Sequence, residues 1–108
     1  MEGKLYYTIK EISEFTGENA STLRFWENEF KELSPKRTAS GRRQYTEKDI
    51  DTISIIQYLL RTKGMHLAAA KEQLRTNRQN ISFRMKALEK LEDVRERLEL
   101  LRQALNKI

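Results

Sequence analysis

The chain has 108 residues, enough for one small domain with a modest core but not for a separate catalytic or ligand-binding domain beside it. It contains no cysteine, which excludes disulfides, thiolate metal sites and thiol switching and fits a reducing cytosolic compartment. Its formal charge of +5 predicts a surface that attracts polyanions; no run approaches the ~20 apolar residues that span a bilayer, and the N-terminus MEGKLYYTIKE lacks the apolar core of a signal peptide.

Thr8 followed by Glu11 makes a capping-box pattern, and Ile9, Ile12 and Phe15 recur every three residues until Thr16-Gly17 interrupts them, which predicts a first helix over 9–16. After the Gly17 turn, Asn19 is placed to cap a second helix with Leu23, Trp26 and Phe30 on one face. Two short helices joined by a glycine-containing turn form a helix-turn-helix candidate. Ser34-Pro35 closes that region, and 36–45 holds a Ser-Gly pair between basic residues, which predicts a two-stranded hairpin, a wing, with its tip near Gly41. Residues 36–43 carry four cations and no acid, whereas 1–35 carry four cations against seven acids. The positive field is therefore concentrated in the wing.

Thr46 with Asp49 repeats the capping pattern and opens a longer helix over 47–63, with Ile50, Ile53, Ile56 or Tyr58, and Leu60 apolar at helical spacing and Lys63-Gly64 as its end. This helix is expected to be the backbone of the core. Leu67, Ala68, Ala69, Ala70 and Leu74 predict a fourth helix closing the globular part near Asn77. From Leu91 the apolar positions run Leu91, Val94, Leu98, Leu101, Leu105 and Ile108, a 3,4 alternation with Glu and Arg on the outer face that reads as a coiled-coil seam. Ile81, Met85 and Leu88 join that register only with a one-step slip, which leaves the first turns to pack on the globular part. Two domains are expected, 1–77 and 78–108.

In this order, TLRFWE (Thr22 to Glu27), LSP (Leu33 to Pro35), SGRRQY (Ser40 to Tyr45) and KGMHL (Lys63 to Leu67) resemble the MerR family of regulators, over roughly residues 6–75. The terminal helix is similar in kind but carries no motif. The resemblance implies a mainly α fold: a winged helix-turn-helix DNA-binding domain with a small β-hairpin wing, followed by a long C-terminal dimerisation helix that forms an antiparallel coiled coil. It further implies a homodimer on a pseudo-palindromic promoter operator in double-stranded DNA. Distortion of the spacer would let RNA polymerase engage, in the cytoplasm and at the nucleoid. The sequence departs from the family pattern at Phe25-Trp26, where a tyrosine pair is commoner, and at His66, where a Ser or Thr cap is usual. Nothing follows the seam in this sequence, so no dedicated small-molecule effector site is expected, nor any cofactor.

The N-terminal turn of the second helix of such a motif enters the major groove, which nominates Ala20, Ser21 and Arg24 for base edges, with Phe25 beside the backbone. The resemblance favours a phosphate role for Arg24; the plain alternative is a surface ion pair near Glu27 and Asn28, worth only ~0–1 kcal/mol. Trp26 and Phe30 are expected in the core. On the wing, Lys36, Arg37, Arg42 and Arg43 are candidates to neutralise phosphates, Arg43 foremost by motif position, although a basic run alone is commonly a solvated loop. Tyr45 can anchor the wing by its ring or offer a hydroxyl to phosphate, and Thr8 and Lys10 can touch backbone near the first helix. His66 has no second histidine or cysteine at ligand spacing, so it is read as a helix-start residue and no metal site is expected. No nucleophile, base and stabiliser converge and no phosphate loop is present, so the chain is not read as an enzyme. Two further readings remain: an architectural or excisionase-like DNA-binding protein without promoter activation, and a coiled-coil adaptor that does not bind DNA.

Overall fold

The structure, a computed structural model, describes residues 5–107. Ile108, assigned to the seam from sequence, lies outside the described residues. The elements run α1 (Ile9–Thr16), α2 (Ala20–Glu29), β1 (Lys36–Arg37), β2 (Arg43–Gln44), α3 (Glu47–Gln57) with a π-helical turn Tyr58–Thr62, and α4 (Leu67–Asn106). The mainly helical fold with a small antiparallel hairpin is the one the sequence predicts.

Local chemistry explains the boundaries. Both capping boxes close: Glu11 N–H donates to Thr8 Oγ1 at 3.2 Å and Thr8 N–H to Glu11 Oε1 at 3.0 Å, while Asp49 N–H donates to Thr46 Oγ1 at 3.3 Å and Thr46 N–H to Asp49 Oδ2 at 2.9 Å. Two of the orphan donors at each helix start are thereby satisfied. Gly17, at φ 78, ends α1 in the left-handed region, with its N–H donating to Ser13 O. Asn19 takes the cap position of α2 with extended dihedrals, but its side chain makes no capping hydrogen bond. His66 O accepts from Ala70 N–H at 3.0 Å, which puts His66 at the start of α4.

The predicted helix over 47–63 ends differently from expectation. Its last turn widens to π, with Lys63 N–H donating to Tyr58 O at 2.9 Å. Gly64 then turns left-handed at φ 67, and Met65 N–H reaches Leu59 O at 3.0 Å. That span is one residue longer than the closing bond of an ordinary glycine-terminated α-helix, the extra residue being the one the π turn takes up.

The chain divides into two compact units, up to Thr76 and from Asn77 onward. In the first, Ile12, Leu23, Trp26, Phe30 and Leu33 are buried together with Ile53, Ile55, Ile56, Leu59, Ala70 and Leu74. α3 also buries Thr52, so more than one face of it is covered, as its expected central place requires. Ile50, Tyr58 and Leu60 are only half-buried, and Leu59 takes the inward place expected of Leu60. Phe15, which completes the apolar spacing of α1, is 60% exposed. The second unit is the later part of α4, whose backbone leaves helical dihedrals at Asn77 (φ −131, ψ 20). Within it Leu91, Val94, Leu98, Leu101 and Leu105 are each more than half exposed along the predicted seam.

Candidate nucleic-acid interface

The helix-turn-helix is held by its own turn. Ser13 Oγ donates to Glu18 O at 2.5 Å, and Glu18 N–H donates to Thr16 Oγ1 at 3.3 Å. The Glu18 side chain, 11% exposed, reaches across to α3 and the turn that follows: it accepts from Gln57 Nε2 and from Arg61 Nη2, both at 2.9 Å. Gln57 Nε2 also donates to Thr16 O at 2.8 Å. Burial works to raise the Glu18 carboxyl, but hydrogen bonds from Arg61 and Gln57, with the Arg61 charge, hold it below the usual carboxylate range. Arg61 in turn lies 6.0 Å from the Trp26 ring centroid, so one cation touches both the turn and α2. Glu18 was not singled out by sequence reading, because its partners lie 39 and 43 residues away.

The first turn of α2 presents Ala20, half-buried, and Ser21 and Arg24, both exposed. Arg24 forms no ion pair among the described residues, which sets aside the ion-pair alternative. Phe25 is 49% exposed, whereas Trp26 and Phe30 are buried as expected.

The wing is a tight loop between two-residue strands, with Lys36 opposite Gln44 and Arg37 opposite Arg43. Thr38 N–H donates to Arg42 O at 2.8 Å and Gly41 N–H to Thr38 O at 2.9 Å, with Gly41 at φ 86. A side chain would strain that left-handed position, so glycine belongs at the tip. Beyond β2, Tyr45 and Tyr7 exchange backbone hydrogen bonds of 2.8 and 2.9 Å, which ties the wing to the residue before the α1 cap. This brings Thr8, Ile9 and Lys10 beside Gly41, Arg42 and Arg43 around an open cleft of about 420 Å³. Thr8 and Lys10 are exposed there, and the Thr8 hydroxyl oxygen is already engaged in its cap.

The four wing cations are not equivalent. Lys36 and Arg42 are exposed and lack an acidic partner among the described residues. Arg43 is only 20% exposed and its Nε donates to Glu27 Oε2 at 2.6 Å. Arg37, 50% exposed, lies 3.6 Å from Glu27 Oε1 and donates through Nη1 to Gly41 O at 3.1 Å. Glu27, read in the sequence as part of a motif and a neighbour for Arg24, instead binds the wing to α2. The expectation for Tyr45 as a phosphate contact is corrected: it is fully buried, with no exposed hydroxyl surface and no hydrogen-bond partner for that hydroxyl. Burial, then the charge of Glu27, pushes its phenol up to about 12, so it stays neutral, and its role is to anchor the wing. Among the described residues no group of three or more His, Cys, Asp or Glu could hold a metal ion, and no helix is long and apolar enough to cross a membrane.

The family described as MerR HTH family regulatory protein matches residues 7–77. The chain is 32% identical over 106 residues to the uncharacterized HTH-type transcriptional regulator YyaN of Bacillus subtilis (strain 168), an alignment covering 96% of this chain and 76% of that one. Among solved structures, it resembles HiNmlR, a MerR family regulator lacking the sensor domain and bound to promoter DNA, at TM-score 0.57 and 25% identity, covering 94% of this chain and 88% of that one. The fold is also shared with the N-terminal part of MtaN, the Bacillus subtilis multidrug transporter activator, at TM-score 0.59 and 23% identity, covering 92% and 97% respectively.

Proposed function

The chain belongs to the MerR family of helix-turn-helix regulatory proteins, and from that premise we propose that it binds a pseudo-palindromic promoter operator in double-stranded DNA as a homodimer. The observation that carries this reading is the junction of α2, the α1 start and the wing. Glu27 joins the wing arginines to α2, the Tyr7–Tyr45 bridge joins the wing to α1, and exposed cations lie on both sides of the cleft between them. Ala20, Ser21 and Arg24 meet the major groove, with Arg24 on phosphate and Phe25 packed beside the backbone. Lys10, Lys36, Arg37, Arg42 and Arg43 neutralise phosphates flanking it, and Thr8 lies against the same strand.

Leu91, Val94, Leu98, Leu101 and Leu105, with Ile108, form the dimer seam of an antiparallel coiled coil, and residues 1–77 and 78–108 divide the work between DNA and partner. Five large apolar side chains at 3,4 spacing, left more than half exposed, support that assignment, since a seam of this kind is stable only when covered. The dimer regulates transcription by distorting the spacer DNA where RNA polymerase engages, and it acts in the cytoplasm at the nucleoid without a cofactor or a dedicated small-molecule site. The similarity to a promoter-bound regulator lacking its sensor domain supports this reading.

Selection from a random duplex pool, followed by titration of the winning site against scrambled DNA, tests the proposal. An enriched inverted repeat is the expected result. Weak, salt-sensitive binding without a motif would favour the architectural alternative, and no binding at all would overturn the DNA reading.

A further inference from the structure

Glu27 holds two like charges that the wing sets directly opposite one another. Arg37 and Arg43 are cross-strand partners, a placement that repels without an intervening anion. The Glu27 carboxylate supplies that anion from α2, 2.6 Å from Arg43 Nε and 3.6 Å from Arg37 Nη2, with its own side chain only 16% exposed. It also lies one helical turn beyond Arg24 on the helix that enters the groove.

From this juxtaposition we infer that Glu27 is a positioning residue for sequence discrimination, restraining Arg37 and Arg43 from generic backbone and presenting them only beside a seated α2. The inference rests on the DNA-binding reading above. A DNA phosphate and a carboxylate compete for the same guanidinium fork. Drawing Arg43 and Arg37 wholly onto phosphates would leave Glu27 partly buried and uncompensated, which is costly. On random DNA nothing offsets that cost. On the correct site, contacts from the first turn of α2 form at the same moment and offset it. Lys36 and Arg42 have no such tie among the described residues and contribute to every duplex alike.

Glu27→Gln keeps the shape and removes the charge, so it frees about one cation per protomer and two per dimer. On a random-sequence duplex the ratio of variant to wild-type affinity is expected to grow about tenfold as salt falls from about 200 to about 50 mM, because each freed charge adds about 0.9 to the salt slope. Affinity for the selected site rises less, so the ratio of specific to random binding falls. In an Arg37→Gln/Arg43→Gln background the same Glu27→Gln change is expected to have little effect, which ties its action to those two arginines. Thermal unfolding of every variant verifies that each is folded. An equal loss on both duplexes at unchanged salt slope would overturn the inference and make Glu27 a plain brace, as would an unchanged ratio. Wild-type protein that bound neither duplex would overturn the DNA reading as well, so the two failures are distinguishable.

Discussion

Replacing Leu98 and Leu101 together by glutamate tests the seam most directly. The two side chains are 62% and 57% exposed, so a homodimer would bury roughly three-fifths of each leucine's value. With about 1.5–3 kcal/mol for a fully buried leucine, each contributes about 1–2 kcal/mol, and the double substitution removes four such side chains per dimer. The loss of about 4–7 kcal/mol corresponds to roughly three to five powers of ten in the dimer dissociation constant, before the cost of placing four carboxylates in the seam. Sedimentation equilibrium over a concentration series reads this directly, with circular dichroism verifying that the first unit stays folded. Leu100→Glu is the control: Leu100 is 59% exposed but lies off the 3,4 spacing, so it should leave the dimer intact. A double variant that sediments as the wild-type dimer would refute the assignment, and so would a Leu100 variant that dissociates equally well, since general hydrophobicity rather than register would then be at work.

Three further outcomes are expected. Tyr45→Phe removes a buried hydroxyl that has no partner, so it should leave stability unchanged or raise it by up to about 1 kcal/mol in thermal unfolding, with DNA affinity unaltered; a clear loss of affinity would restore the phosphate role. Glu18→Gln should destabilise the protein by roughly 1–3 kcal/mol near neutral pH. Because the folded-state pKa of Glu18 is lowered, its contribution is full above the unfolded-state value near 4.5 and drains away as pH falls through the folded one, so variant and wild-type melting curves should converge in acid. Arg42→Ala removes an exposed wing cation from each protomer, so it should lower the salt slope by about 2 per dimer and weaken specific and random duplexes by the same factor in filter-binding or anisotropy titrations.

The sequence was most informative where structure is set by residues three or four apart. Both capping boxes were visible as Thr8 with Glu11 and Thr46 with Asp49, because cap and partner lie within one turn. The wing tip followed from Gly41 between basic residues, and the long terminal helix from its apolar period. Less legible were features fixed by tertiary packing. Tyr45 carries both a ring and a hydroxyl, and only its pairing with Tyr7 and the closure of the core decide that the hydroxyl goes inside. The π turn at Tyr58–Thr62 has no local signature, since the bond that defines it differs from an α-helical one by a single residue of reach.

The acids of the N-terminal segment show why charge counted along a chain misjudges charge met by a ligand. Residues 1–35 hold seven acids to four bases, and on composition they dilute the basic wing. In the fold, Glu18 and Glu27 are the least solvated of the ion-paired carboxylates described, at 11% and 16% exposure, and each bridges elements that sequence separation hides. Glu18 fixes the turn between α1 and α2 against the end of α3; Glu27 fixes the wing against α2. Helices of 8 and 10 residues and strands of two are too short to hold one another rigidly by local hydrogen bonds alone. Burial of Ile12, Leu23, Trp26 and Phe30 holds the helices in place, and the ionic braces add orientation to that packing by engaging cations that composition would assign to DNA. Of the four wing cations, two are therefore held by Glu27 and two have no acidic partner among the described residues. A binding surface organised in this way should discriminate by geometry more than its net charge suggests.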